Sequence, residues 1–229
     1  MKKLGLIGGM GPESTLPYYQ GIVYGVQKKM GQPFFPHFTV ESVNVFQILS
    51  FLNAGDKAAL VDYLMTAINN LANAGADFIA LASNTPHIVF EQLQEKSPLR
   101  IISIVEATCK EAVTKGYKTI GLIGTIFTMN NDFFKTPFER NGIKVVVPND
   151  IEMRLINDRI YNEIELGVIK QETINEFLQI INRLKTEENI EAIVLGCTEL
   201  PLLLNDAITP VPCLDTMKIH IDAIVNEIM

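Results

Sequence analysis

Two short stretches place reactive side chains directly after an apolar run. The first is Leu195-Gly196-Cys197-Thr198-Glu199-Leu200-Pro201, which follows Ala192-Ile193-Val194, a run that reads as the end of a buried strand. Gly196 permits a sharp exit from that strand, and Thr198 is placed to cap a short helical stretch over 199–204. A thiol at such a strand end lies where open α/β sheets hold their ligands. Thr198 and the backbone N–H groups after it are expected to favour the thiolate by hydrogen bonding and helix dipole. The competing reading of Cys197 is a structural cysteine, since free Cys is among the most buried residue types. The second stretch, Ser83-Asn84-Thr85-Pro86-His87, follows the apolar run 78–82 and offers a hydroxyl, an amide and another hydroxyl. Asn84 or Thr85 can equally cap a helix with Pro86 in its first turn.

The two stretches hold matching places in a repeat. Gly5-Leu6-Ile7-Gly8 recurs as Gly121-Leu122-Ile123-Gly124; Gly8 to Ser83 is 75 positions, and Gly124 to Cys197 is 73. In each half a glycine-ended strand is followed, at nearly one distance, by a strand ending in a small nucleophilic side chain. Two similar α/β domains related by a pseudo-twofold axis would set Ser83 and Cys197 facing each other across a cleft.

The elements that must position them alternate. Strands are expected at 3–7, 38–43, 78–82, 118–123, 143–147 and 191–195, with a short one near 208–211. Helices are expected from near Ser14, over 56–74 closed by Gly75, and at 106–115, 129–141, 151–166, 171–186 and 215–228. Strands alternating with helices predict doubly wound parallel sheets. The expected domains are 1–115 plus 212–229, and 116–211, with the active site between them.

Composition narrows the function. The chain has 229 residues, 48% hydrophobic and 20% charged, enough for a large core in one or two domains. A net charge of −7 with no basic cluster argues against a nucleic-acid or anionic-membrane surface. The apolar run after Lys2-Lys3 stops at Gly8-Gly9, too soon for a signal-peptide core, and no other run approaches membrane-spanning length. Cys109, Cys197 and Cys213 form no CxxC pair and are odd in number, so neither a disulfide framework nor a zinc site is indicated, and Cys109 and Cys213 read as packing residues. A cytoplasmic location is the economical expectation.

Several chemistries drop out. Counted from Gly9, a dinucleotide fingerprint needs a third glycine where Ser14 stands, and no Walker lysine follows. The Gly8–Gly11 turn suits a close approach to a small carboxylate, with turn chemistry alone as the equal alternative. No G-x-S-x-G elbow is present, and His37, His87 and His220 are too scattered for a metal site. His87 and His220 read as structural.

Four ordered motifs resemble the aspartate/glutamate racemase superfamily. They are Gly8-Gly9-Met10-Gly11-Pro12-Glu13-Ser14-Thr15, Asn84-Thr85-Pro86-His87, Gly121-Leu122-Ile123-Gly124-Thr125 and Gly196-Cys197-Thr198-Glu199-Leu200-Pro201. Asp215-Thr216 with His220 is similar to the family's C-terminal segment, so the resemblance runs through nearly the whole chain.

The resemblance implies cofactor-independent racemisation of an acidic amino acid, aspartate or glutamate, by a homodimer. Two cysteines flank the substrate α-carbon in the family; one removes the α-proton and the other returns one to the opposite face. Cys197 matches one of them, and Ser83 stands in the place of the second. A thiol titrates near about 8.5 and can be tuned into a base, whereas a hydroxyl is far poorer without an activating group. A weak or one-way racemase is therefore expected. The resemblance sets Met10, Asn84, Thr85, Thr125, Thr198 and Glu199 around the substrate. A side-chain carboxylate would need a cation or several N–H donors, yet 42–53 contains no Arg or Lys. Asn44 and Gln47 offer only neutral donors; Arg154 and Arg159 are candidates, or simply a solvated helix face. The alternatives are a one-thiol decarboxylase or isomerase of the same superfamily, and a non-catalytic small-carboxylate binder.

Overall fold

The computed structural model describes residues 1–229. They divide into two compact units, Met1–Ile104 with His220–Met229, and Val105–Ile219. No helix is long and apolar enough to cross a membrane.

The first unit is built from β1 (Leu4–Gly8), α1 (Pro12–Met30), β2 (Thr39–Ser42), α2 (Val45–Asn53), α3 (Lys57–Asn73), β3 (Phe78–Leu81), α4 (Phe90–Lys96) and β4 (Ile101–Ile102). Helix α5 (Ile104–Lys115) leads into the second unit: β5 (Thr119–Ile123), α6 (Ile126–Asn130), α7 (Asp132–Arg140), β6 (Lys144–Val146), α8 (Asp150–Asn162), α9 (Gln171–Glu188), β7 (Ala192–Leu195) and β8 (Cys213–Asp215). Helix α10 (Thr216–Ile228) closes the described chain.

Each unit holds one four-stranded parallel sheet, and the two sheets have the same order: β2-β1-β3-β4 and β6-β5-β7-β8. Strands β1, β3 and β7 are buried along their whole length. Their unbroken apolar runs fit parallel sheets covered on both faces. Ile7, Leu64, Ile68 and Leu81 anchor the first core, and Ile123, Ile156, Phe177 and Ile193 the second.

The repeated glycine motif has a packing cause. Gly5 pairs in register with Ile79, and Gly121 with Ile193. A Cβ on Gly5 would come within 2.9 Å of Ile79 Cδ1, and one on Gly121 within 2.7 Å of Ile193 Cδ1. In each half the isoleucine fills the space that the glycine leaves open.

Three local expectations need correction, and one helix was not expected. The stretch 129–141 is two helices, because Asn131 takes extended backbone and its side-chain amide donates to the Phe127 carbonyl at 2.9 Å. The last strand is Cys213–Asp215 rather than 208–211, since Pro210 and Pro212 lack the N–H that a ladder requires. The unexpected helix is α2 in the segment 42–53, started by Asn44, whose side chain accepts from Phe46 N at 3.0 Å. Residues 151–166 are α8 followed by a separate 3-10 turn, Ile164–Leu166.

Candidate active site

In the second sheet β5 is followed by β6 on one side and, after α8 and α9, by β7 on the other. The carboxyl ends of β5 and β7 therefore form a topological switch point, the usual ligand position in an open α/β sheet. Ile123 pairs with Leu195 there, and Gly196 N–H donates to the Ile123 carbonyl at 2.7 Å. A Cβ on Gly124 would lie 2.8 Å from the Gly196 carbonyl oxygen. Two bare backbones thus pass each other just where Thr125 and Cys197 leave their strands. Buried Thr125 begins α6, its hydroxyl accepting from Thr128 N at 3.4 Å.

Cys197 is 7% exposed, and its Sγ donates to Glu199 Oε2 at 2.9 Å. The Thr198 hydroxyl donates to the same oxygen, also at 2.9 Å. Burial pushes the thiol well above its ordinary range; the Glu199 charge and the bond to that carboxylate push the same way, against the Glu199 backbone N–H. The expected thiolate is not what this environment favours: the resting side chain is a thiol. Thr198 likewise caps nothing: only the single 3-10 turn Leu200–Leu202 follows, it starts after Glu199, and no side chain caps it.

One further side chain acts on this group through charge, and it was not expected. The charge of Glu165, from the Ile164–Leu166 turn, adds to the raising of Cys197. Its own carboxyl is pushed up to about 7 by its surroundings and by Glu199. Tyr161 is pushed up to about 12 by burial, then by Glu165 and Cys197. No motif ties Glu165 to Cys197, since more than thirty positions separate them in sequence. What links them is core packing: Ile160 and Ile164 are buried in the cluster that contains Cys197 and Leu200.

The candidate cation Arg159 is already occupied. Its guanidinium holds Glu176 in two bonds of 2.9 and 2.8 Å and Glu163 at 2.7 Å. Lys170 and Thr173 complete the ring around buried Glu163 at 2.9 and 2.5 Å, and these bonds bring its carboxyl down to about 2. Arg154 stands on the exposed face of α8.

The first sheet repeats the switch point between β1 and β3, where Ile7 pairs with Leu81. Ser83 stands two residues beyond Leu81, as Cys197 stands two beyond Leu195. The sheet registers therefore give Ser83 and Cys197 the same position in the two copies. Ser83 is half-buried, and its carbonyl accepts from His87 Nδ1 at 3.0 Å. His87 Nε2 accepts from Ile104 N at 3.3 Å, so both ring nitrogens serve backbone groups. This imidazole braces the strand end and is not placed as a base for the Ser83 hydroxyl.

Asn84 is buried and Thr85 half-buried at the start of the 3-10 helix Thr85–Val89, with no side-chain cap from Asn84. Gly9 and Gly11 adopt φ of 80° and 123°, open to glycine alone. The Gly9 N–H goes to Thr15 Oγ1 at 3.0 Å, which makes it a turn bond rather than a free anion donor. Met10 lies in the first core with Ile48 and Leu60. No group of three or more His, Cys, Asp or Glu side chains is arranged to hold a metal ion.

Comparison with known proteins follows this architecture. Residues 7–224 match the family described as Asp/Glu/Hydantoin racemase. The chain is 27% identical over 221 residues to the broad specificity amino-acid racemase RacX of Bacillus subtilis (strain 168), covering 93% of this chain and 92% of the relative. A solved aspartate racemase homologue from Pyrococcus horikoshii OT3 superimposes with a TM-score of 0.84 at 34% identity, covering 100% of this chain and 99% of the other. The Picrophilus torridus aspartate racemase shares the fold, with a TM-score of 0.79 at 20% identity over 100% and 94% of the two chains. With a match running from β1 into α10 and two similar α/β units behind it, the chain belongs to the Asp/Glu/Hydantoin racemase family.

Proposed function

We propose that this chain is a cofactor-independent amino-acid racemase in which Cys197 is the principal acid–base residue and Ser83 serves the opposite face of the α-carbon. The carrying observation is the equivalence of the two positions: one thiol and one hydroxyl end the same strand in two copies of one sheet. Family membership supports the reaction class, and the thiol–carboxylate bond supports the role of Cys197.

The resting thiol is protonated, so it can deliver a proton to a carbanion directly. To act as base it must first pass its proton along the existing bond to Glu199 Oε2. Glu199 thus serves as the proton's partner in both directions. Asn84, Thr85, Thr125 and Thr198 are the substrate-binding residues of this reading, and Met10 supports the turn in front of them. Carbanion formation beside a carboxylate is difficult, and fixed donors in a dry site lower its cost.

Ser83 can protonate a carbanion but is a weak base, with no imidazole free to activate it. Two enantiomers have equal free energy, so kcat/KM must be the same in the two directions. A poor Ser83 therefore slows both together. One-sidedness takes the form of α-proton exchange without inversion at the face served by Cys197.

The test is α-proton exchange in D2O followed by proton NMR, with chiral chromatography on the same samples. Aspartate and glutamate, the substrates implied by resemblance, are run beside neutral and basic amino acids. Exchange of at least one amino acid, abolished by Cys197→Ala, is the expected result. Absence of exchange across the whole panel would move the weight to a one-thiol decarboxylase or isomerase.

A further inference from the structure

Two buried imidazoles stand around the strand end that carries Ser83. His87 is 2% exposed and His220 is fully buried. The Ile104 N–H can only donate, so His87 Nε2 accepts from it and the ring proton lies on Nδ1, where it goes to the Ser83 carbonyl at 3.0 Å. The Ile102 carbonyl can only accept, so His220 carries its proton on Nε2, and its Nδ1 takes the Tyr18 hydroxyl at 2.7 Å. The two rings meet edge to face with centroids 6.4 Å apart, and Phe90 stacks on His87 at 5.7 Å. Backbone groups thus fix the neutral tautomer of both rings, and every ring nitrogen has a partner of the right sense.

Ser83 is held from both sides by this arrangement. Before it, Ala82 N–H donates to the Ile7 carbonyl at 2.9 Å; after it, its own carbonyl is tied to the His87 ring, whose backbone N–H donates to the Asn84 carbonyl at 3.0 Å. The far side of the ring is anchored at Ile104, where the chain leaves the first unit, and His220 is where the chain returns to it. An apolar side chain could fill the same space without the cost of burying polar nitrogens. What the imidazole adds is a donor of fixed direction at the Ser83 carbonyl. A hydroxyl is a weak acid–base group and depends on placement, since a shift of about 1 Å can cost about 10²-fold in rate. Resting on the racemase reading, we infer that His87 is a positioning residue for the Ser83 face of the α-carbon, kept in its donating tautomer by Ile104 N–H and packed in place by His220 and Phe90. It acts through the Ser83 backbone and not on the hydroxyl.

The experiment uses the fact that an amide can copy either end of the ring. His87→Asn puts a donor where Nδ1 stands and gives up the acceptor; His87→Gln reaches the acceptor position of Nε2 and gives up the donor to Ser83. The readout is the ratio of inversion to α-proton exchange in D2O, for the amino acid that the parent exchanges fastest. That ratio reports how a carbanion divides between the two faces, and changes in substrate binding cancel from it. His87→Gln is expected to lower the ratio about tenfold, and His87→Asn to keep most of it, although both variants lose stability. A ratio unchanged in His87→Gln, or lowered at least as far in His87→Asn, would overturn the inference, as would exchange without any inversion in the parent. Proton–nitrogen correlation spectra of the parent should show His87 protonated at Nδ1 and bare at Nε2. A proton on Nε2 would overturn the inference without either variant having to fold. No exchange of any amino acid by the parent would refute the racemase reading, and with it the purpose of the bond. Equal losses in the two variants, with exchange intact, refute the inference alone.

Discussion

The Cys197 thiol donates to Glu199 Oε2 at 2.9 Å, and the Thr198 hydroxyl shares that oxygen. An anion at this distance disfavours a second anion on sulfur, while its lone pair holds the thiol proton. Glu199→Gln removes the charge, so the thiol should titrate lower than in the parent, read from ultraviolet thiolate absorbance against pH. If Glu199 also receives the proton during turnover, α-proton exchange should fall by about 10²–10⁴ despite the easier ionisation. A variant that ionises more readily and exchanges faster would mean that Glu199 only restrains the thiol.

Ser83 and Cys197 hold one position in two copies of the sheet, which makes Ser83→Cys the natural repair. A second thiol can serve as base where the hydroxyl cannot, and a positioned base contributes on the order of 10² or more. Inversion, measured by chiral chromatography, should rise by about that factor from either enantiomer alike. A rise from one enantiomer only is forbidden by their equal free energy and would indicate a competing reaction.

Gly121 faces Ile193 across β5 and β7, with a hypothetical Cβ 2.7 Å from Ile193 Cδ1 and 2.8 Å from Ile190 Cδ1. Both atoms are side-chain ends and can give way, so Gly121→Ala should fold. Overpacking at such a site costs about 1–3 kcal/mol. Urea denaturation should show a lower midpoint at unchanged slope. Pairing the change with Ile193→Val should recover part of the loss, because it removes the clashing methyl group.

The sequence made the sheet strands legible where apolar runs ended in glycine, and the glycine repeat with its two spacings carried the duplication. It was silent on α2, since 42–53 has a helix start at Asn44 but no surrounding helical pattern strong enough to announce it. Proline misplaced the last strand: the apolar stretch at 208–211 looks extended, but pairing begins only past Pro212. Cys197 and Glu199 were visible as neighbours, whereas the direction of the thiol's titration was not. That follows from the burial of the sulfur and from the Glu199 carboxylate turned onto it, neither of which spacing encodes. Glu165 was invisible for a different reason: its charge acts on Cys197 because the turn after α8 packs its Ile164 into the core that holds the thiol.

Two buried imidazoles in the first unit make the fold acid-sensitive. His220 Nε2 donates to the Ile102 carbonyl at 2.9 Å, and its Nδ1 accepts from the Tyr18 hydroxyl at 2.7 Å. His87 donates to the Ser83 carbonyl and accepts from Ile104 N. Each ring is suited to the neutral state, and burial lowers His87 to about 4 and His220 to about 3. Between the ordinary value of about 6.5 and those values, the unfolded chain binds protons that the folded chain refuses. Stability is therefore complete above pH 6.5 and falls as the pH drops toward 4, by up to about 3 kcal/mol for each histidine. Glu163, held down at about 2 by Thr173, Lys170 and Arg159, adds a second loss below about pH 4.5 as its unfolded carboxyl protonates first. Urea midpoints measured from pH 7.5 to 4 should fall steadily, beginning near 6.5. His87→Asn should be less stable at pH 7.5 yet show a shallower fall, because it removes one titrating ring. A parent midpoint that stays level down to pH 5 would show that the two rings accept protons without disturbing Ser83 or Tyr18.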